Sequence, residues 1–140
     1  MDRNICDIFL GGTCNGSKWR DTFIKLNNYK CFNPVVKNWT EECYENEKWH
    51  MENDHILFYV ITPKQHGFLS FAEVVDLAYK YKDKLYFTYM IYDEGEEFDD
   101  VQLKSLNKIG LLVREAGGNF YQFYESACDA VSEKLETMFL

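Results

Sequence analysis

The sequence predicts an α/β domain, a parallel β-sheet with helices packed on both faces. Three observations predict it. Apolar runs alternate with segments of helical period five times along 140 residues, the pattern of a sheet built with crossover helices. Two of the runs, 56–61 and 85–92, are apolar at nearly every position, as strands covered on both faces must be. No internal repeat or low-complexity linker interrupts the pattern, so one domain over residues 1–140 is expected.

The first strand is expected at residues 5–10, followed by a glycine-rich turn of Gly11, Gly12, Thr13, Cys14, Asn15 and Gly16. Ser17 is a good N-cap for a helix in which Trp19, Phe23 and Leu26 recur at helical spacing. A short second strand spans 31–36, and Pro34 inside it argues for a place near the sheet edge. Thr40 caps a second helix over 41–53, whose Glu41 and Glu42 suit the positive helix start. The third strand, 56–61, stops at Thr62 and Pro63. A loop over 64–69 then leads into a helix opening at Ser70, with Phe71, Val74, Val75 and Ala78 as its apolar stripe. The fourth strand, 85–92, precedes an acidic loop, 93–100, and a helix over 101–115 that stops at Gly117 and Gly118. A fifth strand at 119–122 leads to a last helix from Tyr124, with Ala127, Cys128, Val131, Leu135 and Met138 along one face.

Five such units favour the flavodoxin-like doubly wound strand order 2-1-3-4-5. That order sets strands 1 and 3 side by side. The glycine turn after Leu10 and the loop before Glu73 then converge on one crevice at the carboxyl ends of the strands, where open α/β sheets bind ligands.

With 23 acidic against 15 basic residues, the formal charge is -8. This argues against polymeric nucleic acid or an anionic membrane as the main partner, and leaves a small nucleotide open. No run of 18 apolar residues and no positive-plus-apolar amino terminus is present, so no membrane span or signal peptide is expected. The five cysteines are odd in number and lack C-x-x-C spacing, the usage of a reduced, cytoplasmic protein. His50, His55 and His66 do not sit at zinc-ligand spacing from them, so neither a metal nor a cofactor is expected.

Several residues could carry chemistry. Gly11, Gly12 and Thr13 could offer backbone N–H groups to an anion or a sugar, or simply turn the chain; they match neither a Walker loop nor G-x-G-x-x-G. Ser70 and Glu73 match the S-x-x-E capping box. Glu73 also lies beside the predicted crevice, where a carboxylate could attack a sugar carbon. Trp19, Arg20 and Asp21 follow the glycine turn; Trp19 suits the core, while Arg20 and Asp21 are a solvated pair or line the crevice. Trp39 sits at a strand's carboxyl end and could stack on a flat ring. Asp54 enters strand 3 from the opposite end and points away from the crevice. The acidic run from Asp93 to Glu97 reads as a solvated loop, with a divalent-ion site as a distant second. Tyr121 and Tyr124 could cover the pocket or a subunit contact.

Taken together, Phe9-Leu10-Gly11-Gly12-Thr13-Cys14-Asn15, Trp19-Arg20-Asp21, Phe32-Asn33-Pro34-Val35-Val36 with Trp39, Tyr59-Val60-Ile61-Thr62-Pro63, and Gly67-Phe68 with Ser70 and Ala72-Glu73 resemble, in order, the nucleoside 2-deoxyribosyltransferase-like family. The resemblance covers roughly the first 80 residues, and the rest by element order. It implies cleavage of an N-glycosidic bond, with Glu73 as nucleophile at the anomeric carbon, Asp54 as the acid at the entry to strand 3, and Gly11, Gly12 and Thr13 at the sugar. It also implies a homo-oligomer, since family members complete their sites from a neighbouring subunit. The family carries an aspartate six residues before the nucleophile to handle the leaving base; here that position is Gly67, beside His66. Leu69 stands where the family has a glycine. Three activities are open on these residues: transfer to a second base or hydrolysis by water, hydrolysis of a nucleoside monophosphate with Arg20 on the phosphate, and binding of a nucleotide without turnover.

Overall fold

The apolar run at 56–61 becomes the middle of the sheet. The computed structural model describes residues 3–14 and 16–140; Asn15 of the glycine-rich turn lies outside the described residues. In chain order the elements are β1 (Ile8–Gly12), α1 (Trp19–Leu26), β2 (Cys31–Phe32), α2 (Glu41–Asn53), β3 (Ile56–Ile61), α3 (Leu69–Tyr81), β4 (Leu85–Tyr89), a hairpin of β5 (Tyr92–Asp93) and β6 (Glu96–Glu97), α4 (Asp100–Ala116), β7 (Asn119–Phe120) and α5 (Tyr124–Met138). The sheet is parallel in the order β2-β1-β3-β4-β7. This is the predicted flavodoxin-like order, with β7 as the fifth strand.

The two faces separate by residue parity, because side chains alternate along a strand. Phe9, Leu57, Tyr59 and Ile61 pack with α3 and α4 through Val74, Leu77, Leu106 and Val113. Ile8, Leu10, Ile56, Phe58 and Val60 pack with α1 and α5 through Trp19, Phe23, Ala127, Val131 and Leu135. All six residues of β3 are buried, which is why this run shows no alternation. Helix α2 is different. Its sequence EECYENEKWHMEN is polar, and His50 is its only buried residue. Little apolar area holds it to the sheet, so open space is left between α2 and α3.

Several boundaries move for local reasons. The first strand starts at Ile8 and runs through both glycines, because Gly11 and Gly12 pair with Tyr59 and Val60. The second strand has two residues; Pro34 brings no N–H, and the Val35 N–H goes to the Asn33 side chain at 3.0 Å. The fourth strand ends at Tyr89, and Tyr92 enters the hairpin, whose turn residues Glu94 and Gly95 both have positive φ. Thr40 caps α2 as expected, accepting from the Cys43 N–H. Of the other two expected caps, Ser17 lies one residue before the Lys18 N-cap of α1, and its Oγ accepts from the Trp19 N–H at 3.4 Å, whereas α3 has Phe68 at its N-cap, without a side-chain bond. An unanticipated capping box, Asp99 with Gln102, starts α4. Leu26 is 80% exposed, and Met138 is exposed as well.

No helix among the described residues is long and apolar enough to cross a membrane. All five cysteines are free.

Phe58 carries much of the α1–α5 side. Its ring meets Trp19 edge-on at 6.3 Å, Phe23 at 5.4 Å and Tyr124 stacked at 6.3 Å. Phe58→Ala is expected to lower the unfolding free energy by about 3–5 kcal/mol, measured by urea denaturation. A loss below about 1 kcal/mol would show that this cluster is not a keystone of the core.

Candidate functional site

The site begins with two glycines that let neighbouring groups come close. A Cβ on Gly11 would fall 2.4 Å from the Tyr59 ring. One on Gly12, whose φ is 108°, would fall 2.0 Å from the Val60 carbonyl oxygen. Glycine at position 11 lets the Tyr59 ring lie across β1, and glycine at position 12 lets the Val60 backbone come close. From there the Tyr59 hydroxyl donates to Glu73 Oε2 at 3.4 Å. The residue read as a helix cap is therefore turned instead toward the sheet.

The loops after β1 and β3 are pinned to each other. Thr13 Oγ1 donates to Gln65 Oε1 at 2.8 Å and accepts from the Thr62 N–H at 2.8 Å. The Thr13 N–H donates to the Val60 carbonyl at 3.0 Å. Below the turn, Arg20 Nε donates to the Leu10 carbonyl at 2.9 Å, Nη2 to that of Gly12 at 3.2 Å, and Nη1 to that of Thr13. Trp19 Nε1 also donates to the Thr13 carbonyl, at 3.0 Å. Burial pulls the Arg20 pKa down from its ordinary value, opposed by contact with the Cys14 thiol. A third pin holds the hairpin: Ser17 and Thr62 both donate hydroxyls at 2.6 Å to Oδ2 of Asp93, which is buried.

Around this frame lies a cavity of about 290 Å³, with Gly11, Gly12, Arg20, Trp39, Glu47, Ser70 and Glu73 among its walls. A second cavity of about 570 Å³ lies between α2 and α3 and shares Trp39, Glu47 and Glu73 with the first. Glu47 and Glu73 are both half-buried. Burial raises the Glu73 pKa, and the Tyr59 hydrogen bond opposes that rise. Burial also raises the Glu47 pKa; the negative charge of Glu73 adds to the rise, and Arg20 opposes it. Two carboxyl groups thus hold one site in different electrostatic surroundings, the arrangement that separates an acid from a base.

Of the residues singled out from sequence, Glu73, Gly11, Gly12, Arg20, Trp39 and Ser70 meet at this cavity. Thr13 and Trp19 are buried beneath it as pins, and Asp21 is exposed on α1. None of these three is on its walls. Asp54 lies at the amino end of β3, as its place before that strand predicts. Its Oδ1 accepts from the Cys6 N–H at 2.8 Å, and both carboxylate oxygens meet His50 Nδ1, at 2.8 and 3.0 Å. Donor atoms of Cys6, His50 and Asp54 lie within 4.8 Å of one another, so folding brings together a cysteine and a histidine that spacing had set apart. The hydrogen bonds account for this buried cluster as a clasp under β1 and β3. Tyr121 stacks on Tyr86 and Tyr124 on Phe58, away from Glu73. His66 and Gly67 are exposed and line neither cavity.

Sequence reading missed Glu47, Tyr59 and Asp93. Tyr44, Glu47 and Met51 recur at spacings of three and four and all line the wider cavity, a signal that was available. The pairing of Gly11 with Tyr59 was visible only once the register was known.

Comparison of the chain with protein-family models and with curated proteins gives no match.

Removing the Tyr59 hydroxyl removes the one influence named above that favours ionised Glu73. In Tyr59→Phe the Glu73 carboxyl is therefore expected to titrate at higher pH than in the parent protein, where it already titrates above the ordinary 4.5. Carbon-13 NMR of the glutamate carboxyl signals reads both values. An unchanged or lower value in the variant would show that the hydroxyl does not hold the carboxylate.

Proposed function

We propose that the protein cleaves the N-glycosidic bond of a nucleoside or deoxynucleoside through a covalent intermediate on Glu73. The observation that carries this reading is the pair Glu73 and Glu47, two half-buried carboxyl groups from neighbouring helices on one cavity beside the glycine strand end. The ordered motifs that resemble the nucleoside 2-deoxyribosyltransferase-like family support the same chemistry.

In the first step a Glu73 carboxylate oxygen attacks C1′ of the sugar. The C1′–N bond breaks and its electron pair stays on the base nitrogen. Glu47, in its protonated form, delivers a proton to the departing base. A glycosyl ester on Glu73 results. In the second step water, or the nitrogen of a second base, attacks C1′. The ester C–O bond breaks, the Glu73 carboxylate is restored, and Glu47 takes the proton from the attacking group. The Tyr59 hydroxyl acts as a positioning group, fixing one Glu73 oxygen so that the other faces the sugar. Trp39, 62% exposed on both cavities, offers a ring for the base to stack on. Glu47 takes over the base-handling step that the resemblance assigns to an aspartate at the Gly67 position.

The exposed apolar side chains Trp39 and Leu69 line the wider cavity, and the exposed Phe68 precedes Leu69 in the chain. We propose that a second copy of the chain covers them, and sedimentation at several concentrations reads that association. Free cysteines fit a reducing compartment, and a cytoplasmic location belongs to this proposal.

Incubation with deoxynucleosides, with and without an acceptor base, is expected to release free base, followed by chromatography. Glu73→Gln is expected to lose at least about a thousandfold in rate, and Glu47→Gln about a hundredfold or more. Full activity in Glu73→Gln would overturn the proposal. Thermal stabilisation by nucleosides without any base release would instead leave a binding module.

A further inference from the structure

At the amino end of the sheet, away from the Glu73 cavity, Cys6, His50 and Asp54 bring a sulfur, a nitrogen and an oxygen donor together. One donor atom from each lies within 4.8 Å of the others, and all three residues are buried. Among the described residues no other group of three histidine, cysteine or acidic side chains meets in this way.

The three come from two segments that are tied to each other. His50 is in the last turn of α2, and Asp54 is the C-cap of that helix. The Asp54 N–H donates to the His50 carbonyl at 2.9 Å. Cys6 precedes β1. Its N–H donates to Asp54 Oδ1 at 2.8 Å, and its carbonyl accepts from the His55 N–H at 3.2 Å. The His50 ring is held as well, stacked on Phe32 at 3.8 Å with 9° between the planes and edge-on to Trp49 at 5.0 Å. Side chains fixed in this way by packing and hydrogen bonds are pre-organised for an ion.

The clasp between His50 and Asp54 does not use the thiol. His50 Nδ1 meets the two Asp54 oxygens at 2.8 and 3.0 Å, whereas Cys6 Sγ donates to the Asn4 carbonyl at 3.8 Å, a weak bond. Among the described residues His50 is the one ion-pair partner of the Asp54 carboxylate. Lys84 turns its ammonium to the backbone carbonyls of Glu52 and Asp54, at 3.0 Å each. Burial pushes up the pKa of the Cys6 thiol and of the Asp54 carboxyl, because a bare anion is costly there. A dication offsets that cost: with one thiolate, one carboxylate and a neutral imidazole, the occupied site carries no net charge.

The donor set also selects the ion. Thiolate and imidazole suit zinc, whereas magnesium and calcium take oxygen ligands. Tetrahedral zinc, with ligands at about 2.0–2.3 Å, sets its donor atoms roughly 3.4–3.6 Å apart. The His50–Asp54 pair would open by about half an ångström, and the Cys6 thiol would close by at most on the order of 1 Å. The Asn4 carbonyl, 3.8 Å from Sγ, is close to the separation a fourth ligand needs.

We propose that Cys6, His50 and Asp54 bind Zn2+, the ion standing between His50 Nδ1 and the Asp54 carboxylate with the Cys6 thiolate as third protein ligand and an oxygen donor as fourth. The thiol proton leaves to solvent, and the imidazole carries its proton on Nε2. The ion ties the segment before β1 to the end of α2, a helix with one buried residue.

The test titrates zinc chloride into the full-length wild-type chain, stripped with a chelator and kept reduced. Calorimetry is expected to give one ion per chain. X-ray absorption at the zinc edge is expected to show one sulfur at about 2.3 Å and the other neighbours, nitrogen or oxygen, at about 2.0–2.2 Å. In nitrogen-15 spectra the His50 Nδ1 signal is expected to move on zinc binding, and those of His55 and His66 to stay. Cys6→Ser, checked for folding by circular dichroism, is expected to bind zinc at least about tenfold more weakly. No binding, a zinc shell with no sulfur or with two, a shift at His55 or His66 instead of His50, or unchanged affinity in folded Cys6→Ser would each overturn the inference. Should that variant not fold, the two wild-type spectra decide. None of these measurements reads base release, so failure here leaves the Glu73 chemistry standing.

Discussion

The close approach of the Tyr59 ring to the bare Cα of Gly11 is the contact on which the site depends. Strands β1 and β3 pair in register, so the residue opposite Gly11 is Tyr59. A side chain at position 11 would occupy the space of that ring. Because it is empty, an aromatic from the centre of the sheet reaches across its neighbour and ends on a carboxylate of α3. One missing side chain thus couples the sheet register to the orientation of Glu73. Gly12 does related work on the backbone, with a positive φ that brings β1 against the Val60 carbonyl and lets the chain turn into the Thr13 pin.

The second constraint is the polarity of α2. A helix with a strong apolar stripe would have closed onto the sheet. This one carries a single buried residue and leaves Glu47 half-buried and facing Glu73 across open space. Partial burial raises both carboxyl pKa values, and their mutual repulsion adds to the rise at Glu47. Polar helix, cavity and half-buried carboxyl pair follow from one sequence property. Arg20 belongs to the same logic from below: it neutralises backbone carbonyls rather than ligands, and so leaves the cavity acidic.

What could be read from sequence was local or periodic. Strand 56–61 and the core of the expected 85–92 strand, realised over 85–89, show themselves because both faces are apolar, and α2 begins at Glu41 because Thr40 supplies a local cap. The convergence of the two loops follows from strand order alone and is realised in the bonds from Thr13 to Gln65 and Thr62. Features that depend on partners distant in the chain were not legible. Asp93 reads as one more acid in a solvated run, yet Ser17 and Thr62 bury it. Ser70 and Glu73 fit a capping box by spacing, but the helix starts one residue earlier and Glu73 turns to Tyr59. Arg20 reads as half of a solvated pair or as a crevice liner; it does line the cavity, but its donors face carbonyls 7 to 10 residues earlier in the chain.

The central claim is that the Glu73 carboxylate forms a bond to the anomeric carbon. Trapping that bond tests it most directly. A 2′-fluoro deoxynucleoside analogue destabilises the cationic transition state and slows breakdown of the ester, so intact-protein mass spectrometry followed by peptide mapping can locate the sugar. The account predicts one fluorosugar per chain on the peptide containing Glu73, and none on the Glu73→Gln variant. Release of the base with the protein mass unchanged, or an adduct mapped to any other residue, would contradict it.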